Sequence, residues 1–521
     1  MKNVNELHRT LSHRQIQLMA IGASIGAALF ILIGSSLQAA GPGGMLIAYI
    51  FYACVLGTVN STVAEMVVLM PVSGSFIRYA AKWVDPALGF AAGWNFFLFQ
   101  ASFIPFEITF VSVLIRYWTD AIPVAAICAI CLVSYFLLNI FAVKFYGESE
   151  FWLSSGKVVL IFMVFWLTLV TMCGGNPQHD AYGFRYWNKP GAFAESHHTG
   201  ALGRFEGFLV ALWTAVFSFA GPEYIGMAAG EARHPRKTIK QAYKTMYWRF
   251  AFFFIGSAIC VGIIVPYDDK AFVLGLSGGA GSPYVIAMGN MGIKGLPHVF
   301  VALLLTSVFS AGNAYTYCSI RSLHSLALEG QAPKILAKCT KSGIPIYCVF
   351  VTMIFPAISF LNVSNSAGQV ITWLVNLTTA GQIFNYIIMS CTYLFFFKAL
   401  KVQGYDRKDL PYRGWGQPYI ACIALISYFT ILCCYSYAMY YTFDVGTFFS
   451  YYTMCFVAIL TFGGWKLYWK TKFVKPEEAD LVWDRPIIDA YEAALPPSTG
   501  FWGEMLELVT FNKVRGAKKN H

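Results

Sequence analysis

Among the ionisable side chains inside long apolar runs of this chain, Glu107, Lys157 and Glu223 stand out. Placing a charge in an apolar span is expensive, so each is a functional hypothesis by default. Glu107 follows Pro105 in the run 87–117. A carboxyl there either idles near the bilayer edge, protonated or paired, or handles a proton or a cationic group; the cost of burying it favours the second. Glu223 lies directly after Gly221-Pro222, at mid-depth of the run 205–230. It is suited to hold an ammonium group, carry a proton or cap broken backbone. Lys157 lies in the run 152–173, after Glu148-Ser149-Glu150. It either snorkels to the interface or sits as a cation inside a bundle. A buried group that changes protonation can carry a proton, and Lys157, Glu107 and Glu223 are the candidates for proton coupling. Other chemistries lack residues: thirteen cysteines are scattered without metal-ligand spacing, and no nucleophile–base order or nucleotide loop stands out. The expectation is no enzyme, no metal and no cofactor.

The elements that must position these groups are membrane helices. Of 521 residues, 57% are hydrophobic and only 12% charged, with a mean hydropathy of +0.57; soluble chains carry roughly 25% charged residues. Twelve apolar runs, near 16–40, 45–70, 87–117, 123–143, 152–173, 205–230, 247–265, 297–327, 346–361, 369–397, 418–441 and 447–468, are each long enough to cross a bilayer. The reading is an all-α polytopic membrane protein: a tail over 1–15, a transporter domain over 16–470 and a second tail over 471–521. The net charge of +11 raises nucleic acid as a partner, but its distribution argues for membrane orientation instead. Of 37 Lys and Arg, all but Arg116, Arg185, Lys189, Arg204, Lys270 and Lys294 fall on one side of this topology, which puts both termini in the cytoplasm. Asn362-Val363-Ser364 is a sequon hard against the membrane, expected to stay unused. The segment 501–519 is a candidate interfacial helix.

Two of the runs are interrupted. In the first, Gly22-Ala23-Ser24-Ile25-Gly26-Ala27-Ala28 has almost no bulk at mid-membrane, and residues 24–28 read as an unwound joint between half-helices. In the sixth, Gly221-Pro222 breaks the helix, because proline lacks an N–H and clashes with the preceding turn. Paired interruptions five spans apart point to a transport site between inverted repeats. Small residues that only let helices pack closely are the alternative for the first stretch taken alone.

Four motifs in order carry a family resemblance over nearly the whole chain: Gly22-Ala23-Ser24-Ile25-Gly26 with Ala40-Gly41-Pro42-Gly43-Gly44; Gly221-Pro222-Glu223 with Ala229-Gly230-Glu231 and Pro235-Arg236-Lys237; Ser310-Ala311-Gly312-Asn313 with Tyr317, Arg321 and Gly330-Gln331-Ala332-Pro333; and Trp373-Leu374-Val375-Asn376 with Leu410-Pro411-Tyr412. The chain resembles fungal amino-acid permeases of the amino acid–polyamine–organocation superfamily. That resemblance implies ten core helices in a 5+5 inverted repeat with helices 1 and 6 broken, plus two more. It also implies proton-coupled amino-acid uptake at the plasma membrane, with lipid, trafficking chaperones and ubiquitination machinery as partners. The substrate carboxylate would meet backbone N–H groups at Ser24, Ile25, Gly26 and Ala27. Its ammonium would meet Phe219, Ala220 and Gly221, with Glu223 and Glu107 nearby. Ala27 and Ala28 stand where the family usually has a hydroxyl residue followed by glycine, so a contact is lost there. His234 stands for a usual Asn, Phe395 and Phe397 for common basic residues, and Phe501-Trp502-Gly503 lacks the cysteine of a palmitoylation motif. Trp213, Phe217, Phe219 and Tyr224 are candidates for an aromatic lid. A nutrient sensor on the same fold, or a carrier of polyamine, choline or aminobutyrate-type solutes, is the alternative function; a sensor resembles a permease with a longer N-terminal tail.

Overall fold

The computed structural model describes residues 9–495 apart from 10, 142–145, 274–281, 341–342, 365, 435–436 and 438–442. The segment 501–519 lies outside the described residues. The described residues are helical, with one isolated bridge, Leu11 to Ala232. Ten helices are long and apolar enough to cross a membrane, and Tyr419–Cys434 is a shorter apolar one. The expected runs 16–40 and 45–70 are parted at Gly41, where the backbone leaves helical geometry inside Ile33–Leu69. After α1 (His13–Ser24), a π-helical turn (Ala28–Leu32) leads into α2 (Ile33–Leu69), bent at Gly41. Gly41 has φ 71°, a conformation that favours glycine. Any Cβ there would lie 2.6 Å from the Ala194 nitrogen, because the 192–194 segment bonds across the bend: Gly43 N–H donates to Ala192 O and Ala194 N–H to Ala40 O.

The core is built around α3 (Pro86–Ile115). It is apolar on every side, as befits a helix surrounded by others, and is the most enclosed of the spans. It packs against α6 (Leu296–Leu328) and α7 (Ala367–Val402); α4 (Tyr146–Met172) lies against α1 and α6, and α5 (Gly200–Ser218) runs along α2. The last span, α8 (Val445–Trp469), lies at the periphery, with only 6% of its apolar window buried. Asp85 ties that periphery to the core. It caps α3 by accepting from Ala87 N–H at 2.8 Å, accepts from Thr471, and pairs with Lys466 at the end of α8.

One buried carboxylate fixes the loop after α7. Glu65 on α2 is fully buried and accepts from Arg407 at 2.9 and 2.8 Å, from Gly414 N–H at 2.8 Å and from Tyr393 at 3.0 Å. Removing one partner of such a pair strands the other in an apolar setting. Glu65→Ala is therefore expected to lower unfolding free energy by about 3 kcal/mol, read as a fall in the thermal midpoint of detergent-purified protein; an unchanged midpoint would remove this network from the fold's support.

Candidate functional site

Two helix interruptions face each other across the core. In the first, α1 ends at Ser24, Ile25 is extended (φ −116°, ψ 100°), and helical geometry resumes at Ala27. The interruption covers Ile25 and Gly26, narrower than the 24–28 joint expected. Ile25, Gly26 and Ala27 are buried; the side chain of Ser24 lies outside the described residues. In the second, α5 ends at Ser218, Phe219 is extended (φ −87°, ψ 112°), and a short helix (Pro222–Ala228) starts at the Gly-Pro pair. Gly221 has φ 156°, and a Cβ there would collide with Met246 Cε. Glycine supplies the turn and proline, which has no N–H to lose, starts the next helix.

The sequence-chosen carboxylates meet these interruptions. Glu107 is 1% exposed; its carboxylate accepts from the Ala27 backbone, and Oε1 would sit 2.5 Å from a Cβ placed on Gly26. Glu223 is also 1% exposed, and its Oε2 accepts from Gly221 N–H at 3.3 Å and from Tyr386 at 2.8 Å. Capping of broken backbone is thus part of its role. The other oxygens, Glu107 Oε2 and Glu223 Oε1, are buried without a hydrogen-bond partner among the described residues. Lys157 is fully buried on α4 and does not snorkel, and its charge acts on Glu107.

Several contributors escaped the sequence reading. Gln382 on α7 donates to the freed carbonyl of Phe219 at 2.7 Å and to Tyr386 at 3.0 Å. Tyr315 stacks on Phe103 at 4.5 Å, with its hydroxyl 3.6 Å from the Gly26 Cβ position. Gln100 and Tyr224 hydrogen-bond at 3.2 Å. A signal was present: Gln100, Phe103 and Glu107 recur at i, i+3, i+7, and Gln382 and Tyr386 at i, i+4, so each set shares one helix face inside an apolar run. Of the four lid candidates, Phe217 packs on Phe103 and Phe106, Phe219 stacks on Phe254, and Tyr224 lies near Tyr315; Trp213 is turned away toward Tyr451.

The end of the bundle where both described tails lie is closed. Leu11 N–H donates to Glu231 O and Arg233 N–H to Leu11 O, while Tyr317 bonds the Glu231 carboxylate at 3.0 Å and Arg321 stands 3.9 Å from it. Beside these contacts lies a cavity of about 570 Å³ bordered by Arg9, Arg78, Glu231, Arg321 and His324. Asn362 of the sequon is buried, its amide bonded to Ser112.

A model of the amino acid permease family matches residues 15–477. The chain belongs to the amino acid permease family. It is 40% identical to the General amino acid permease AGP2 of Saccharomyces cerevisiae, over 94% of this chain and 84% of that protein. It is 37% identical to a proline-specific permease of Emericella nidulans (92% and 89%) and 36% identical to a lysine-specific permease of S. cerevisiae (92% and 79%). Among solved structures, a manganese transporter of Eremococcus coleocola superposes with a TM-score of 0.57 at 12% identity, covering 94% of this chain and 99% of that one. That likeness shows the transporter fold. The family membership makes this protein an amino-acid transporter of the membrane, not an enzyme.

The space at Gly26 is already taken by Glu107 and Tyr315. Gly26→Val is expected to reach the cell surface but to lose amino-acid uptake by more than about tenfold, since ~1.4 kcal/mol of displaced contact suffices for that. Surface biotinylation with radiolabelled uptake checks this, and normal uptake would refute the role given to the joint.

Proposed function

We propose that this permease takes up an amino acid together with a proton across the plasma membrane by alternating access. The observation that supports this reading best is the buried Lys157 beside Glu107, whose carboxylate bonds the interruption of the first helix. In this scheme the substrate carboxylate binds N–H groups at Gly26 and Ala27, where a half-helix begins and its dipole favours an anion; the Ile25 N–H is already given to Ile21 O. The ammonium binds at Phe219–Gly221, with the free oxygen of Glu223 as a charged acceptor. The proton must bind the outward-open and inward-open states unequally, or it shifts nothing. Lys157 contributes to that inequality as the buried cation of the site: charged, it donates to carbonyls freed at the joint and holds the binding geometry.

Lys157→Met is expected to bind amino acid but to lose accumulation driven by an acidic exterior. Proteoliposomes with an imposed pH gradient measure this directly, and undiminished gradient-driven accumulation would take Lys157 out of the mechanism. The Lys/Arg bias supports cytoplasmic termini. An epitope fused after His521 should stain only after cells are permeabilised, and staining of intact cells would reverse the orientation.

A further inference from the structure

Both interruptions are bonded to groups of the protein itself, and those groups mimic the two ends of an amino acid. At the first, a carboxylate, Glu107, accepts from the Ala27 N–H and fills the space beside Gly26. At the second, an N–H donor, the Gln382 side-chain amide, bonds the carbonyl of Phe219 at 2.7 Å. The two mimics come from different helices, α3 and α7, and each is at most 1% exposed. Glu107 Oε2 and Gln382 Oε1 are buried and unpartnered among the described residues, so neither side chain is fully satisfied where it sits.

We propose that an amino acid enters this transporter by exchange: its carboxylate displaces Glu107 from the helix-1 interruption, its ammonium displaces Gln382 from the Phe219 carbonyl, and protonation of Glu107 is what frees the first seat. This deepens the symport reading and rests on it. The physical reason is competition for one donor. An ionised carboxylate holds a backbone N–H roughly twice as strongly as a neutral acceptor does, so ionised Glu107 and the substrate carboxylate are rivals of like charge for the same amide. A proton from the outer solution, taken up on Oε2, turns Glu107 into a weak rival and removes the repulsion. Substrate and proton then bind together because each favours the other, as linkage requires. The charged and titratable groups around Glu107 are Lys157 from α4, Tyr315 from α6 and Tyr135 from the helix Val124–Phe141. Lys157 is the counter-charge that offsets part of the cost of burying an ionised Glu107. Gln382 acts at the other seat without titrating, and keeps the Phe219 carbonyl satisfied until an ammonium replaces it.

The test is equilibrium binding of tritiated L-amino acids, tried one at a time, to the purified full-length protein at acidic and at neutral pH. Wild type should bind roughly tenfold more tightly at acidic pH, the effect of ~1.4 kcal/mol. Glu107→Gln, a neutral acceptor of the same shape, should bind at neutral pH as tightly as wild type does at acidic pH, with the pH dependence gone. If Glu107→Gln retains the wild-type pH dependence, or binds more weakly at both pH values, the exchange is wrong. Gln382→Leu provides a second reading that no titration touches. It strands a buried carbonyl that the substrate ammonium then satisfies, so affinity should rise severalfold at both pH values; a fall would mean that Gln382 holds substrate instead of standing in for it, and would overturn the second half of the proposal. Failure of wild type to bind any amino acid would sink the symport reading itself, whereas unaltered pH dependence in Glu107→Gln sinks the exchange alone.

Discussion

A transmembrane helix satisfies its own backbone, and an interrupted one does not. That constraint governs the centre of this protein. In a bilayer no water reaches a stray N–H or carbonyl, and each unsatisfied group costs several kcal/mol, on the order of 2–7. Two interruptions at mid-depth therefore demand polar partners from neighbouring helices, and the partners are specific: Glu107 for Ala27, Gln382 for Phe219, and Glu223 for Gly221. Polar residues that would be intolerable elsewhere in these spans are required here.

The rest of the structure holds those partners still. α3 is fixed at its start by Asp85, which joins it to α8, and is tied to α7 through the side-chain amides of Asn95 and Asn385 at 3.0 Å. α7 presents Gln382 and Tyr386 to the second interruption and, seven residues further on, Tyr393 to Glu65. A shift of α7 therefore reaches both the Phe219 carbonyl and the Glu65–Arg407 network of the loop that follows. The aromatic packing of Phe103, Phe217 and Tyr315 fills the remaining space beside Gly26, so the site is dense and changes shape by moving whole helices.

At the end where the described tails lie, closure rests on polar contacts: the Leu11–Glu231 backbone bridge, Tyr317 and Arg321 on the Glu231 carboxylate, and Arg236 against Asp489 and Glu492 of the helix Arg485–Ala493. Tyr317 and Glu231 are themselves buried, so these bonds join both tails to the packed end of the bundle.

Composition alone determined that this is a polytopic membrane protein, because 12% charged residues cannot cover a soluble surface of this size. Local backbone chemistry determined where the sixth-span helix breaks: Gly221-Pro222 permits no other outcome, since proline removes a donor wherever it stands. The cost of burying charge was enough to select Glu107, Lys157 and Glu223. Tertiary structure decided what each does. It narrowed the first interruption to Ile25 and Gly26, and it bonded the Gly41 bend between the first two spans to the distant 192–194 segment. It gave Glu223 its capping bond and brought Gln382 and Tyr315 to the site, where neither had been expected. Gln382 meets Phe219 across 163 residues of chain. Helical periodicity reports which residues share a face, but which face meets which helix is fixed only when the spans pack.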